Sequence, residues 1–386
     1  MRLALRAPAF LAIGIVPTFA AASNGTAPGD SSAPAFRITE TQIPRPGAFP
    51  HDPAVGPDGI VWYTDQANSY IGRLDPATGT ITDVATPTLN SGPHGIVVAP
   101  DGAVWYTGNA NGRIGRLDPA NGKIREYALP AAARDPHTPL VHEGKVWFTA
   151  QQSDLYGVLD PATGEAKLYP VPISRALPYG LVAAGDRSIW VALFGTNIVG
   201  RIDPATGTLK QFPLPDQKSR PRRLAVAADG RVWFTDYAQS RLGVLDPRTG
   251  AVREYPSPGG DRAGPYGIAI APDGRIWYDE SGTGQVVRFD PERARVDTAL
   301  QIPTKGAIIR NMAVDSARGR IWLALSGTGR IGRIDVTPAE RASRAAPATP
   351  AAREAARRAP REFTRQRGAT PRMHADRESG PATSSR

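Results

Sequence analysis

Three histidines, His51, His94 and His137, recur at intervals of 43 residues in a chain that has only five histidines. A neutral imidazole is the side chain best placed to take a proton near neutral pH, so a regular row of them is a candidate acid–base site. Asp135 stands two residues before the third, giving a D-x-H phrase in which a carboxylate neighbours the imidazole. The competing reading is that each histidine caps a turn in a recurring phrase, as in PHG at residues 93–95. Spacing alone does not fix the distance that a base and its partner require.

The histidine interval belongs to a longer pattern. All seven tryptophans, Trp62, Trp105, Trp147, Trp190, Trp233, Trp277 and Trp322, recur every 42 to 45 residues, each preceded by Ile or Val. Within one unit, GIVVAP, AVWYT, RIGRLD and KIREYAL are short runs rich in alternating or β-branched residues, separated by PDG, NANG and PANG. Those separators are turn signals, and four antiparallel strands per roughly 43 residues make a propeller blade. The third turn returns as DPATG or a variant at Asp75, Asp118, Asp160, Asp203, Asp246 and Asp290. Asp followed by Pro starts a turn, so these carboxylates read as turn caps and not as metal ligands.

The pattern predicts an all-β fold, a seven-bladed β-propeller over residues 35–336. The last unit, RIGRIDVTPAERA, lacks a fourth strand, whereas AFRITETQIPRPG at the start aligns with fourth strands elsewhere. Phe36 to Ile43 should therefore pair with Arg330 to Val336 and close the ring, removing sheet edges that invite aggregation.

Strand one of each blade leaves one face near the axis and strand two returns to it, so two positions per blade should line one mouth of the channel. The first position holds His51, His94, His137, Tyr179, Arg222, Tyr266 and Arg310, and the second Asp65, Gly108, Ala150, Leu193, Asp236, Glu280 and Leu325. The three histidines are candidate acid–base groups, and His94, His51, Tyr179 and Tyr266 are the candidate ligand contacts.

Composition bounds the rest. Residues 1–22 carry Arg2 and Arg6, then an apolar run and Ala20-Ala21-Ala22, the pattern of a secretory signal peptide. We expect an exported protein, periplasmic or secreted, with a flexible segment at 23–34. No run reaches the roughly 20 apolar residues of a membrane span, and with no cysteine stability must come from packing. The net charge of +10 lies mostly in residues 337–386, where eleven Arg face five Asp or Glu. That Ala/Pro/Arg-rich tail reads as disordered, and its charge as no signal for specific nucleic-acid binding. A monomer is expected.

The phrases PHGIVVAPDGAVWYT and GRIGRLDPANGKIREYALP resemble those of the streptogramin B lyases, also called virginiamycin B lyases, over about Phe36 to Val336. The resemblance implies a seven-bladed propeller that linearises a cyclic depsipeptide antibiotic by elimination at its ester bond, conferring resistance. It further implies a histidine base and a Mg2+ ion held by carboxylates. Carried over, it makes His137 the base, Asp135 a metal ligand and His94 the histidine one blade earlier. Where the family has a second glutamate this chain has Ala150. Two readings stay open: a metal-assisted lyase acting on a small cyclic depsipeptide or peptide-like ligand, and a non-catalytic periplasmic propeller whose His/Tyr/Arg rim binds a peptide, glycan or protein partner. A sugar-lactone hydrolase ranks behind both, because the expected rim carboxylates scatter over blades one, five and six.

Overall fold

The computed structural model describes residues 36–336, which form seven four-stranded antiparallel sheets in chain order. The expectations for residues 1–22, 23–34 and 337–386 lie outside the described residues. Among the described residues no helix is long and apolar enough to cross a membrane.

Burial grades outward through each blade and explains the strand sequences. Second strands such as Val61–Asp65 and Val104–Gly108 are buried at every residue, hence their unbroken VWYT character. Outermost strands such as Val252–Pro256 hold only partly buried and exposed positions, as the wet rim of a sheet should. The recurrent turn aspartates cap their own loops: Asp75 accepts from the Ala77 amide at 2.9 Å, and Asp118, Asp160 and Asp203 repeat the contact.

Each tryptophan packs against the next blade. Trp147 joins Ile189, Val191 and Leu193, Trp190 joins Val232 and Phe234, and Trp322 of the last blade joins Val61 and Tyr63 of the first. Seven indoles thus weld seven interfaces, and their interval measures one blade.

The ring closes through the N-terminal strand. Ile38–Gln42 pairs antiparallel with Arg330–Asp335, from Ile38 opposite Ile334 to Gln42 opposite Arg330. Phe36 continues the seal by standing edge-on to Trp277 with ring centroids 5.3 Å apart.

Candidate functional site

The innermost strand of every blade carries a β-bulge at the same place. Between Pro50 and Pro53, two residues, His51 and Asp52, oppose a single residue of the second strand, and the shift recurs in all seven blades. A bulge re-aims side chains by leaving one residue out of the ladder. Small residues follow where the next blade presses close: a Cβ on Gly180 would sit 2.7 Å from the Arg222 carbonyl oxygen. The Gly of PHG and PYG is therefore a packing requirement.

A threonine opposite the bulge stitches blade to blade. The Thr64 hydroxyl accepts from the Asp52 amide at 3.0 Å and donates to the His94 carbonyl at 2.7 Å. Thr107 does the same between Gly95 and His137, Thr149 between Thr138 and Tyr179, and Thr235 between Arg223 and Tyr266. In blade six the position holds Asp279, whose Oδ1 accepts from the Gly267 amide at 2.6 Å while Oδ2 has no partner. Burial pushes the Asp279 carboxyl well above its ordinary value, and the bond that a threonine hydroxyl donates to the next blade is not made here. An unfolded chain ionises this group near pH 4, so its raised folded value subtracts stability increasingly as pH rises above that point. Asp279→Thr should accordingly stabilise the fold at pH 7 by about 1–3 kcal/mol, and the gain should vanish below about pH 4. Thermal melts of the two proteins across that range check it; an unchanged or lower melting temperature at pH 7 refutes it.

The first bulge residues form the rim. His51 and His94 have ring centroids 3.8 Å apart, His94 and His137 3.7 Å, and His137 and Tyr179 3.9 Å, so four successive blades present one tilted stack. The Tyr179 hydroxyl bonds that of Tyr266, two blades on. Arg222 lies between them, its guanidinium 3.7 Å from the Tyr266 ring centroid and 4.5 to 4.9 Å from those of Tyr237, Phe194 and Tyr179. These groups surround a cavity of about 350 Å³. All seven first-position residues, His51, His94, His137, Tyr179, Arg222, Tyr266 and Arg310, line it, and so does Asp135.

The imidazoles are neutral. Burial, at 3–4% exposure for the three residues, pushes His94 and His137 well below the ordinary histidine value. The neighbouring histidines and the Arg222 and Arg223 guanidiniums push the same way. His51 is also lowered by burial, against the opposing pull of Asp52. Its Nδ1 donates to Asp52 Oδ1 at 2.9 Å, which fixes the tautomer and leaves Nε2 bare. Burial raises Asp135 to about 6, and its carboxylate accepts from the Asn109 side-chain amide, not from His137.

The second bulge residues form a deeper layer that the spacing argument missed. Asp52 of blade one and Arg223 of blade five meet across the channel, with Arg223 Nη2 at 3.1 and 2.8 Å from the two Asp52 oxygens. Burial would raise Asp52, but Arg223 and then His51 outweigh it and hold the carboxyl well below the usual range. Neither side chain lines the cavity itself. The second positions of the sequence reading face away. Asp65 takes the Phe49 amide and Arg45, Asp236 the Arg220 amide, and Glu280 the Gly259 amide, all inside supporting loops. The cavity is lined instead by the residues one step later, Gln66, Asn109, Gln151 and Phe194. Their amides bond back to the chain before the rim, as Gln151 N does to Asp135 O at 3.1 Å. Successive strand residues point to opposite faces, so a one-residue error in register inverts the assignment.

The donor set does not suit Mg2+. This hard cation favours octahedral oxygen coordination with carboxylates, and Asp135 is the single carboxylate lining the cavity. His51, Asp52 and His94 do bring ligand atoms within 4.8 Å of one another, yet Arg223 already occupies both Asp52 oxygens, and Arg222 and Arg310 add positive charge. A larger groove of about 770 Å³ lies against Glu143, Asp186, Arg187 and Arg201, where charges pair with one another.

Comparison with known proteins places these observations. The profile of the virginiamycin B lyase family matches residues 31–194 and 197–352. A solved streptogramin B lyase is 27% identical, with a TM-score of 0.73 over 78% of this chain and 98% of that one. Virginiamycin B lyase from Staphylococcus aureus, solved also as a catalytically inactive variant with Quinupristin, is 24% identical with a TM-score of 0.73, over 78% of this chain and 100% of that one. No protein with a curated description matches.

Proposed function

The chain belongs to the virginiamycin B lyase family, and from that premise we propose that its rim opens an ester in a peptide-like ligand, with a cyclic depsipeptide as the reference substrate. The observation that carries this is the row of neutral imidazoles facing one cavity. Elimination needs a base that removes a proton α to a carbonyl; the electron pair forms the new C=C bond as the β C–O bond breaks, and the carboxylate departs without water. His137 is the base in this reading, since it is uncharged, lines the cavity and stacks between His94 and Tyr179. Tyr179 continues the stack and is tied to Tyr266 through its hydroxyl, and these two with His94 and His51 hold the ligand. A metal, if bound, would polarise the substrate carbonyl; the residues here suit that poorly, and the arginines at the mouth supply positive charge instead. The signal-like N-terminus supports action after export.

The test is incubation of purified protein with a streptogramin B, with and without EDTA, and mass spectrometry for a linear product of unchanged mass. We expect the product in both, and its loss in His137→Ala. Because His137 is already neutral well below pH 6.5, kcat/KM should stay level from about pH 8 to 6, where an ordinary imidazole base would lose activity. A second reading, a non-catalytic propeller binding a peptide, glycan or protein partner, is favoured by one observation: Asp135 is bound to Asn109, which leaves His137 without a carboxylate partner. Absence of product under all conditions selects it.

A further inference from the structure

Two guanidiniums line the cavity without a counter-ion. Arg222 belongs to blade five and Arg310 to blade seven. By contrast, Arg223 meets Asp52 at 2.8 Å and Arg275 meets Asp290 at 3.0 Å. Arg222 and Arg310 have no carboxylate within ion-pair distance among the described residues. Arg222 donates one hydrogen bond, to the Tyr179 hydroxyl at 3.2 Å, and otherwise lies against ring faces. The Arg310 guanidinium stands over the Phe49 ring, 5.7 Å from its centroid. The Nε of each is buried without a partner. Asp135, the cavity's one carboxylate, is engaged by Asn109, and Asp279 behind Arg222 is held neutral by burial.

A half-buried cation with no anion is costly unless a ligand provides one. Guanidinium matches carboxylate geometrically, as a planar fork that donates two parallel hydrogen bonds. We propose that Arg222 and Arg310 form an anion subsite and that the ligand of this mouth carries a carboxylate. The inference rests on the mouth being the ligand site, as the proposed function has it, and is independent of the elimination. If elimination does occur, it releases a carboxylate, which this pair would retain, so the opened product should bind more tightly than the closed ester.

The experiment is calorimetric titration of the full-length protein with malonate and with malonamide, its uncharged analogue, alongside inorganic phosphate. We expect malonate to bind at least tenfold tighter than malonamide and several-fold tighter than phosphate. Arg222→Gln/Arg310→Gln should weaken malonate at least tenfold while melting as the wild type does. Arg222→Lys/Arg310→Lys keeps the charge but not the fork and should fall between the two, which keeps the test informative if the Gln pair misfolds. Equal binding of malonate and malonamide overturns the proposal, as does phosphate binding as tightly as malonate. Retained malonate affinity in the Gln pair also overturns it, assigning the anion to another basic segment such as the eleven arginines of residues 337–386. Malonate binding without streptogramin turnover would sink the lyase reading and leave the subsite standing; turnover without malonate binding would do the reverse.

Discussion

Arg223→Ala should destabilise the propeller by about 3–5 kcal/mol, the usual result of removing one partner from a buried ion pair. Asp52 and Arg223 are 171 residues apart in sequence, both buried, and joined across the channel between blades one and five. Truncating the arginine strands a carboxylate whose remaining hydrogen-bond partner is the neutral His51. Replacing both members, as Asp52→Asn with Arg223→Met, should recover most of the loss, because the penalty lies in the uncompensated charge. The sign of the pH effect follows from the depressed Asp52 value. Its contribution is present above the unfolded value near pH 4 and declines as pH falls through the folded one, so the gap between wild type and Arg223→Ala should narrow in acid. Denaturant titration at pH 7 and pH 3 measures this; a gap below about 1 kcal/mol at pH 7 would show that the pair is dispensable.

Removal of the closing strand should have the larger effect. Without residues 36–43 the ring loses Phe36, Ile38 and Ile43, all buried, each contributing about 1.5–3 kcal/mol. The sum approaches the whole stability of an ordinary domain. Trp277 loses its edge-on partner, and five paired residues of Arg330–Asp335 become a free edge. We expect the truncated chain to elute as oligomers or aggregate on size-exclusion chromatography. A monomeric product that melts like the full-length protein would show the strand to be an ornament.

What the sequence made legible was whatever repeats. Trp and turn intervals set the blade count, and the missing last strand set the closure, because each follows from local chemistry copied seven times. The rim was legible for a related reason: His51, His94 and His137 hold one repeat position, and equal positions in a ring lie at equal height. Asp52 and Arg223 were not legible, since their meeting depends on a bulge that turns two consecutive residues inward and on a channel that brings blades one and five together. Neither distance nor bulge is encoded in an interval. Asp65, Asp236 and Glu280 misled because strand alternation sends adjacent residues to opposite faces. Gln66, Asn109 and Gln151, one place later, are carboxamides in three successive blades, a repeat that was overlooked because the neighbouring position was read in its place.

The strand that seals the ring also sets an order of events. Blades one to six are each built from one contiguous stretch, so their pairings join neighbours along the chain and form early. The pairing of Ile38 with Ile334 spans nearly the whole described sequence and must wait until the intervening blades have shortened the distance between its ends. Until then the arc ends in two raw surfaces, one on the first blade and one on the last, each seeking the mate that its own far terminus provides. A chain synthesised from its N-terminus delivers Phe36 first and Arg330 last, so throughout synthesis the clasp arrives before the catch. The interval between them is when this protein is most exposed to pairing with a second copy of itself.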